Sequence, residues 1–142
     1  MAWLVDTNIL VYRFDPRFPE KQRIATLLLR EGLKKDLIRI SHQGLVEFMA
    51  VVTRSSAGSS SLLSVREATR ETEELLSIFP ILYPSATLIR TALRGMAAYG
   101  LSWFDAHMWA YAEHYGVAEL ISEDFEHRRL YGSVRVLNPF VA

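Results

Sequence analysis

The apolar run Trp3-Leu4-Val5 ends abruptly on a carboxylate, in the string Asp6-Thr7-Asn8. Three more acids, Glu47, Asp105 and Asp124, also adjoin apolar segments. None has a basic residue placed locally to neutralise it. Two carboxylates about 4 Å apart repel by ~1 kcal/mol in water and by ~4 kcal/mol at an effective dielectric of about 20. Four acids brought together by a fold therefore protonate or capture a cation. Ligation by oxygen alone suits Mg²⁺ or Mn²⁺ rather than zinc. A hard cation so held activates water and stabilises charge on a transferring phosphoryl group, so the chemistry indicated is phosphodiester chemistry.

Each acid also has a local alternative. Asp6 and Asp124 follow the apolar segments Leu4-Val5 and Leu120-Ile121, and either could serve as a helix N-cap. Ser102-Trp103-Phe104-Asp105 fits a capping box with Asp in place of the usual Glu. A cap at Asp105 leaves its carboxylate at a helix start, where the second role remains open. Glu47 is the hardest to explain away. Its helical neighbours Gln43, Gly44, Ala50 and Val51 are not cationic, and Arg54 lies about 10 Å further along the axis. An ionised group in so apolar a helix costs several kcal/mol unless it is coordinated, paired or turned to water.

The elements that must position these acids follow from hydrophobic spacing. A short strand closes at Val5, with a turn at Asp6-Thr7-Asn8. Pro16 and Pro19 precede a helix from about Glu20 to Leu33, with Ile24, Leu27 and Leu28 inward and Gly32 near its end. A second strand spans Leu37 to Ser41. Gln43 to Arg54 reads as a helix apolar on most sides and deeply buried. The serine-rich stretch 55–61 is a loop by composition. Ser64 and Glu67 form a capping box for a helix with Val65, Ala68, Thr72, Leu75 and Leu76 inward. After Pro80 come a short strand at Ile81-Leu82-Tyr83 and a helix with Leu88, Ile89, Ala92, Leu93, Met96 and Ala97 in one stripe. Gly100 ends it, a helix runs from Trp103 to Tyr115, and strands follow at Glu119-Leu120-Ile121 and Val134 to Leu137. Five short strands alternating with helices predict a single three-layer α/β/α domain on a mainly parallel five-stranded sheet. In such sheets ligands bind outside the carboxyl ends of the strands, where Asp6 and Asp124 fall.

Bulk properties narrow the function classes. A chain of 142 residues, half of them apolar, forms one domain with a packed core. The absence of cysteine excludes disulfides and thiolate metal sites. No apolar run is long enough to span a bilayer, and the start lacks a signal peptide's basic region, so a cytoplasmic protein is expected. Sixteen acids balance sixteen lysines and arginines, so net charge gives no nucleic-acid signature. No nucleophile elbow, Walker loop or dinucleotide fingerprint occurs. His42, His107, His114 and His127 read as helix-surface histidines, and Trp103, Phe104, Trp109 and Tyr111 as core or dimer surface. A phosphoacceptor domain needs a late lysine, and no lysine follows Lys35.

Taken in order, Leu4-Val5-Asp6-Thr7-Asn8, Ile40 to Phe48, Leu101 to Ala106, Leu120 to Phe125 and the tail Val136-Leu137-Asn138-Pro139-Phe140 resemble the PIN-domain family. Within it, they resemble the VapC ribonuclease toxins of type II toxin–antitoxin modules. The resemblance spans nearly the whole chain. It implies that Asp6, Glu47, Asp105 and Asp124 hold Mg²⁺ or Mn²⁺ for RNA cleavage, with Asn8 and Ser122 arranging the site. Ser122 stands where the family often has threonine, and Glu123 leaves the assignment of the last acid open. The resemblance further implies a homodimer and a cognate VapB-like antitoxin. Arg13, Arg54, Arg128 and Arg129 are candidates for holding the RNA backbone, because phosphates need cations near the acids. The alternatives are a catalytically silent PIN-like binding module, and an rRNA-processing or DNA-directed nuclease on the same fold.

Overall fold

The computed structural model describes residues 1–141. The chain runs β1 (Trp3–Val5), α1 (Thr7–Tyr12), α2 (Pro19–Lys34), β2 (Ile38–Ser41), α3 (His42–Val52) and α4 (Val65–Ile78). It continues with β3 (Ile81–Leu82), α5 (Ala86–Tyr99), α6 (Trp103–Tyr115), β4 (Glu119–Ile121), β5 (Leu130–Tyr131) and β6 (Val134–Leu137). The strands form one sheet in the order β3-β2-β1-β4-β6-β5. Every pairing is parallel except the edge ribbon between β5 and β6.

Alternation along the strands splits the core into two layers. Leu4, Leu120, Val134 and Val136 point to one face and pack with Leu88 and Ala92 of α5 and the buried run Met108 to Ala112 of α6. Val5, Ile38, Ile40 and Ile121 point to the other and meet Ile9, Leu10, Leu29, Phe48 and Leu75 from α1 to α4. This is the three-layer α/β domain expected. It has six strands rather than five, because the two-residue β5 is too short to show a period of its own.

The expected helices lie where the sequence places them, but several of their faces are turned differently. The turn expected at Asp6-Thr7-Asn8 is instead the first turn of α1, which Asp6 caps by accepting the Thr7 N–H. Leu27, Val65, Leu76, Ile89, Leu93 and Met96, expected to point inward, are all exposed. Each of their helices seats only a narrow stripe: Ala25, Leu29 and Gly32 for α2, Ala68 and Leu75 for α4, and Leu88, Thr91, Ala92 and Gly95 for α5. Helix α3 is likewise half open rather than engulfed, with Val46 and Val51 exposed. The Ser64–Glu67 capping box forms in both directions.

Small residues let α5 and α6 approach closely. A Cβ on Gly95 would lie 2.6 Å from Trp109 Cζ3 and 2.7 Å from Cε3. The indole cannot retreat, because its Nε1–H donates to the Tyr131 carbonyl at 2.9 Å. Overpacking costs ~1–3 kcal/mol, against up to ~1 kcal/mol gained in helix propensity. Gly95→Ala should therefore lower the melting temperature by a few degrees, as read by calorimetry.

Candidate active site

Strand order creates the crevice. From β1 the chain moves outward through β2 to β3, then returns to place β4 on the other side of β1. At such a switch point the loops leaving the carboxyl ends of the two central strands diverge and open a binding site. Asp6 immediately follows β1, and Asp124 follows β4 by three residues.

A cleft of about 490 Å³ opens there, and Asp6, Glu47, Asp105 and Asp124 all line it. Asp6 is delivered by β1, Glu47 by the second turn of α3, Asp105 by the first turn of α6, and Asp124 by the loop after β4. The local alternatives and the convergence turn out to be compatible. Asp6 is an N-cap, and the Ser102 hydroxyl accepts the Asp105 N–H at 3.1 Å, which is half of the expected capping box.

The donors around these acids are neutral. Ser122 Oγ donates to Asp6 Oδ2 at 2.6 Å and accepts the Asp124 N–H at 3.0 Å, joining two of the acids through one buried hydroxyl. Thr7 Oγ1 donates to Glu47 Oε1 at 2.7 Å, and Gln43 Nε2 to Glu47 Oε2 at 3.3 Å. Asn8 Nδ2 donates to Asp124 Oδ2 at 2.9 Å. None of the four acids has a cation within salt-bridge distance among the described residues.

Two nearby acids make the contrast. Asp15 also lines the cleft but is gripped by Arg17 through two bonds, Nε at 2.9 Å and an Nη at 2.8 Å, which hold its carboxyl below the usual range. Glu123, the competitor for the last acidic position, accepts from Tyr12 Oη at 2.6 Å and pairs with Lys21 at 2.9 Å. Lys21 in turn lies over the rings of Tyr12, Phe18 and Phe140. Glu123 is thus neutralised and outside the cleft lining, and Asp124 is the acid left facing it.

Electrostatics follow from this arrangement. Burial drives the Asp6 carboxyl up to about 7, with the charges of Asp124 and Glu47 adding and the bonds from Ser122 and Thr7 opposing. Burial likewise raises Asp105 and Asp124, reinforced by neighbouring acids. Because the folded state binds the Asp6 proton more tightly than the unfolded chain, Asp6 stabilises the metal-free fold below pH 4. That contribution disappears as pH rises through about 7. The span corresponds to on the order of 4 kcal/mol. Denaturant melts in chelator should show wild type losing this stability between pH 4 and 7 relative to Asp6→Asn.

Among the described residues, no three acids or histidines stand close enough to form a ready-made metal site. The donor chemistry nevertheless fits a hard cation. Besides the carboxylates, the cleft lining holds two side-chain oxygens that are buried and lack any partner, Asn8 Oδ1 and Gln43 Oε1. Their orientation is set by their amide nitrogens, which donate to Asp124 and to Glu47 and the Phe104 carbonyl. A buried acceptor without a donor costs ~1–3 kcal/mol. A cluster rich in such acceptors and in unpaired carboxylates is relieved by a cation.

The remaining candidates scatter. Arg54 lines the cleft. Arg13 does not; it faces Glu71 at 3.9 Å in a separate groove between α2 and α4. Arg129 pairs with Glu126 and lies over Tyr131, and neither it nor Arg128 lines the cleft. Thr7, Gln43 and Arg17 were not foreseen. Gln43 stands one helical turn before Glu47, which is the one sequence signal that could have exposed it.

Residues 3–133 match the PIN domain family, and the chain belongs to it. No curated protein matches significantly. Among solved structures, a toxin–antitoxin complex from Klebsiella pneumoniae superposes with a TM-score of 0.68 at 24% identity, over 99% of this chain and 98% of that one. VapBC2 from Rickettsia felis, bound to a promoter DNA fragment, gives 0.67 at 18% identity, over 96% and 97%. VapC20 from Mycobacterium tuberculosis, described as a sarcin–ricin loop cleaving toxin, gives 0.64 at 17% identity, over 87% and 90%.

Proposed function

We propose that this PIN domain is a Mg²⁺- or Mn²⁺-dependent endoribonuclease and the toxin of a toxin–antitoxin pair. One observation carries the reading: four carboxylates share a cleft with neutral donors only, while the two nearby acids outside this set each have their own cation. The similarity to toxin structures supports the toxin assignment.

Asp6, Glu47, Asp105 and Asp124 would hold the metal, with Asn8 Oδ1 and Gln43 Oε1 as further oxygens. When bound, the ion supplies an activated water and a counter-charge for the phosphoryl group. The protein's own work is positional. Ser122 fixes Asp6 and the backbone of Asp124 relative to each other. Thr7 and Gln43 hold both oxygens of Glu47, and Asn8 aims Asp124. Phe104 and Met108 add apolar surface to the cleft wall.

A small antitoxin covering the acidic cleft is the proposed regulator, and a second copy of this chain the proposed structural partner. The exposed apolar residues Ile89, Leu93 and Met96 of α5 support a homodimer. Among the described residues no helix is long and apolar enough to cross a membrane; a cytoplasmic location is part of the proposal. The test is cleavage of labelled RNA and DNA in parallel, with Mn²⁺ and with chelator. Metal-dependent cutting of RNA is expected. A chain inert toward both would be a silent binding module, and preferential cutting of DNA would reassign the substrate.

A further inference from the structure

We infer that a second trough, continuous with the acid cleft, is the subsite for the RNA backbone to one side of the scissile phosphate. This rests on the nuclease reading and adds a direction to it. The trough has a volume of about 580 Å³, and Val11, Arg17, Val51 and Arg54 line both it and the cleft. The two are therefore one groove, with its cations at the junction. Its far wall is the loop bearing Ser56, Ser59, Ser60 and Ser61.

The junction has the right chemistry for a polyanion. Arg17 is bound to Asp15, so its charge is largely cancelled. The Arg54 side chain makes no ion pair or hydrogen bond among the described residues, although it lines the same cleft as the four carboxylates. Arg54 follows α3 by two residues and reaches the cleft from the C-terminal end of that helix, whose second turn carries Glu47. A cation on that side suits a phosphate flanking the one being cut. Phosphate contacts of this kind position a strand and carry no sequence information.

The serine loop is shaped rather than slack. Ser56 and Ser59 exchange backbone bonds of 3.2 and 3.0 Å, and their hydroxyls lie 2.9 Å apart. Gly58, at φ +83°, makes the turn possible. The hydroxyls of Ser60 and Ser61 make no hydrogen bond among the described residues and remain available to phosphate or ribose oxygens. Phe104 and Met108, which also line the cleft, offer a backbone no charge. The strand consequently leaves past Arg54.

Fluorescence anisotropy of 5′-labelled oligouridylates, about two to eight nucleotides long, measures this in chelator, where nothing is cut. Wild-type affinity should rise with length as the trough fills. Arg54→Ala should flatten that rise, weakening the longest oligonucleotide about tenfold at ~0.1 M salt and reducing the slope of log K against log salt by about 0.7. The double change Ser60→Ala with Ser61→Ala should cost about threefold. Arg30→Ala, in the separate groove beside α4, should behave as wild type. Equal affinity and slope for Arg54→Ala and wild type would overturn the subsite, as would an equal loss from Arg30→Ala. The same preparation is assayed for Mn²⁺-dependent cleavage. Failure of wild type to cut RNA overturns the nuclease reading itself, whereas cutting with unaltered Arg54→Ala binding overturns the trough alone.

Discussion

Asp6→Asn should abolish metal-dependent RNA cleavage, by on the order of 10³-fold, while leaving the fold intact. Asp6 is buried at the centre of the site and is coupled to Asp124 and Glu47. Asparagine is as good an N-cap as aspartate, and with its one oxygen on the Thr7 N–H its amide NH2 can donate to Ser122 Oγ. What it lacks is the charge, which burial makes costly without a cation. The metal-free variant should therefore be more stable than wild type at pH 8, by up to on the order of 4 kcal/mol. Adding metal should close most of that gap. An ion at about a hundred times its dissociation constant stabilises wild type by about 2.7 kcal/mol and should do little for the variant. Thermal melts with and without Mn²⁺, beside a cleavage assay, give both readouts. A variant that still cuts RNA, or still gains stability from Mn²⁺, removes Asp6 from the site.

Ser122→Ala should give the next largest loss. This hydroxyl is fully buried, donating to Asp6 and accepting from the backbone of Asp124. Removing it strands a buried N–H, at a cost of ~1–3 kcal/mol in stability. It also takes away the bond that favours ionised Asp6. Groups that orient ligands in this way are worth about 10–100-fold in metal affinity. Calorimetric titration with Mn²⁺ should show that loss, and Ser122→Thr, which keeps the hydroxyl, should recover most of it. Wild-type affinity in Ser122→Ala would mean that the hydroxyl serves packing alone.

How much of this was legible in the sequence depended on the range of the interaction concerned. Strand Trp3–Val5 announces itself as an apolar run that stops at an acid, and Glu119–Ile121 as a short apolar segment soon followed by Glu123 and Asp124. Ser64 and Ser102 mark helix starts that the structure keeps. Which face of a helix is buried was less legible, because Leu93 and Leu88 are the same residue type in one stripe and only tertiary packing separates them. The two-residue strand Leu130–Tyr131 exists through its pairing with β6 and has no local signal.

The four acids could be singled out because each lacked a local cation, and the structure does line one cleft with all of them. The pairings that isolate them were out of reach of spacing arguments. Glu123 meets Lys21 across 102 positions, and Asp6 meets Ser122 across 116. Arginines were the poorest guide. Arg13, Arg128 and Arg129 look no different in sequence from Arg54, yet of these four Arg54 alone lines the cleft.

A crystal of the metal-free protein soaked in Mn²⁺ and examined by anomalous diffraction reads the metal site directly. The account predicts a peak in the cleft within coordination distance of Asp6 and of at least one of Asp105, Asp124 and Glu47. A cleft without a peak, under conditions where the protein cuts RNA, would contradict it.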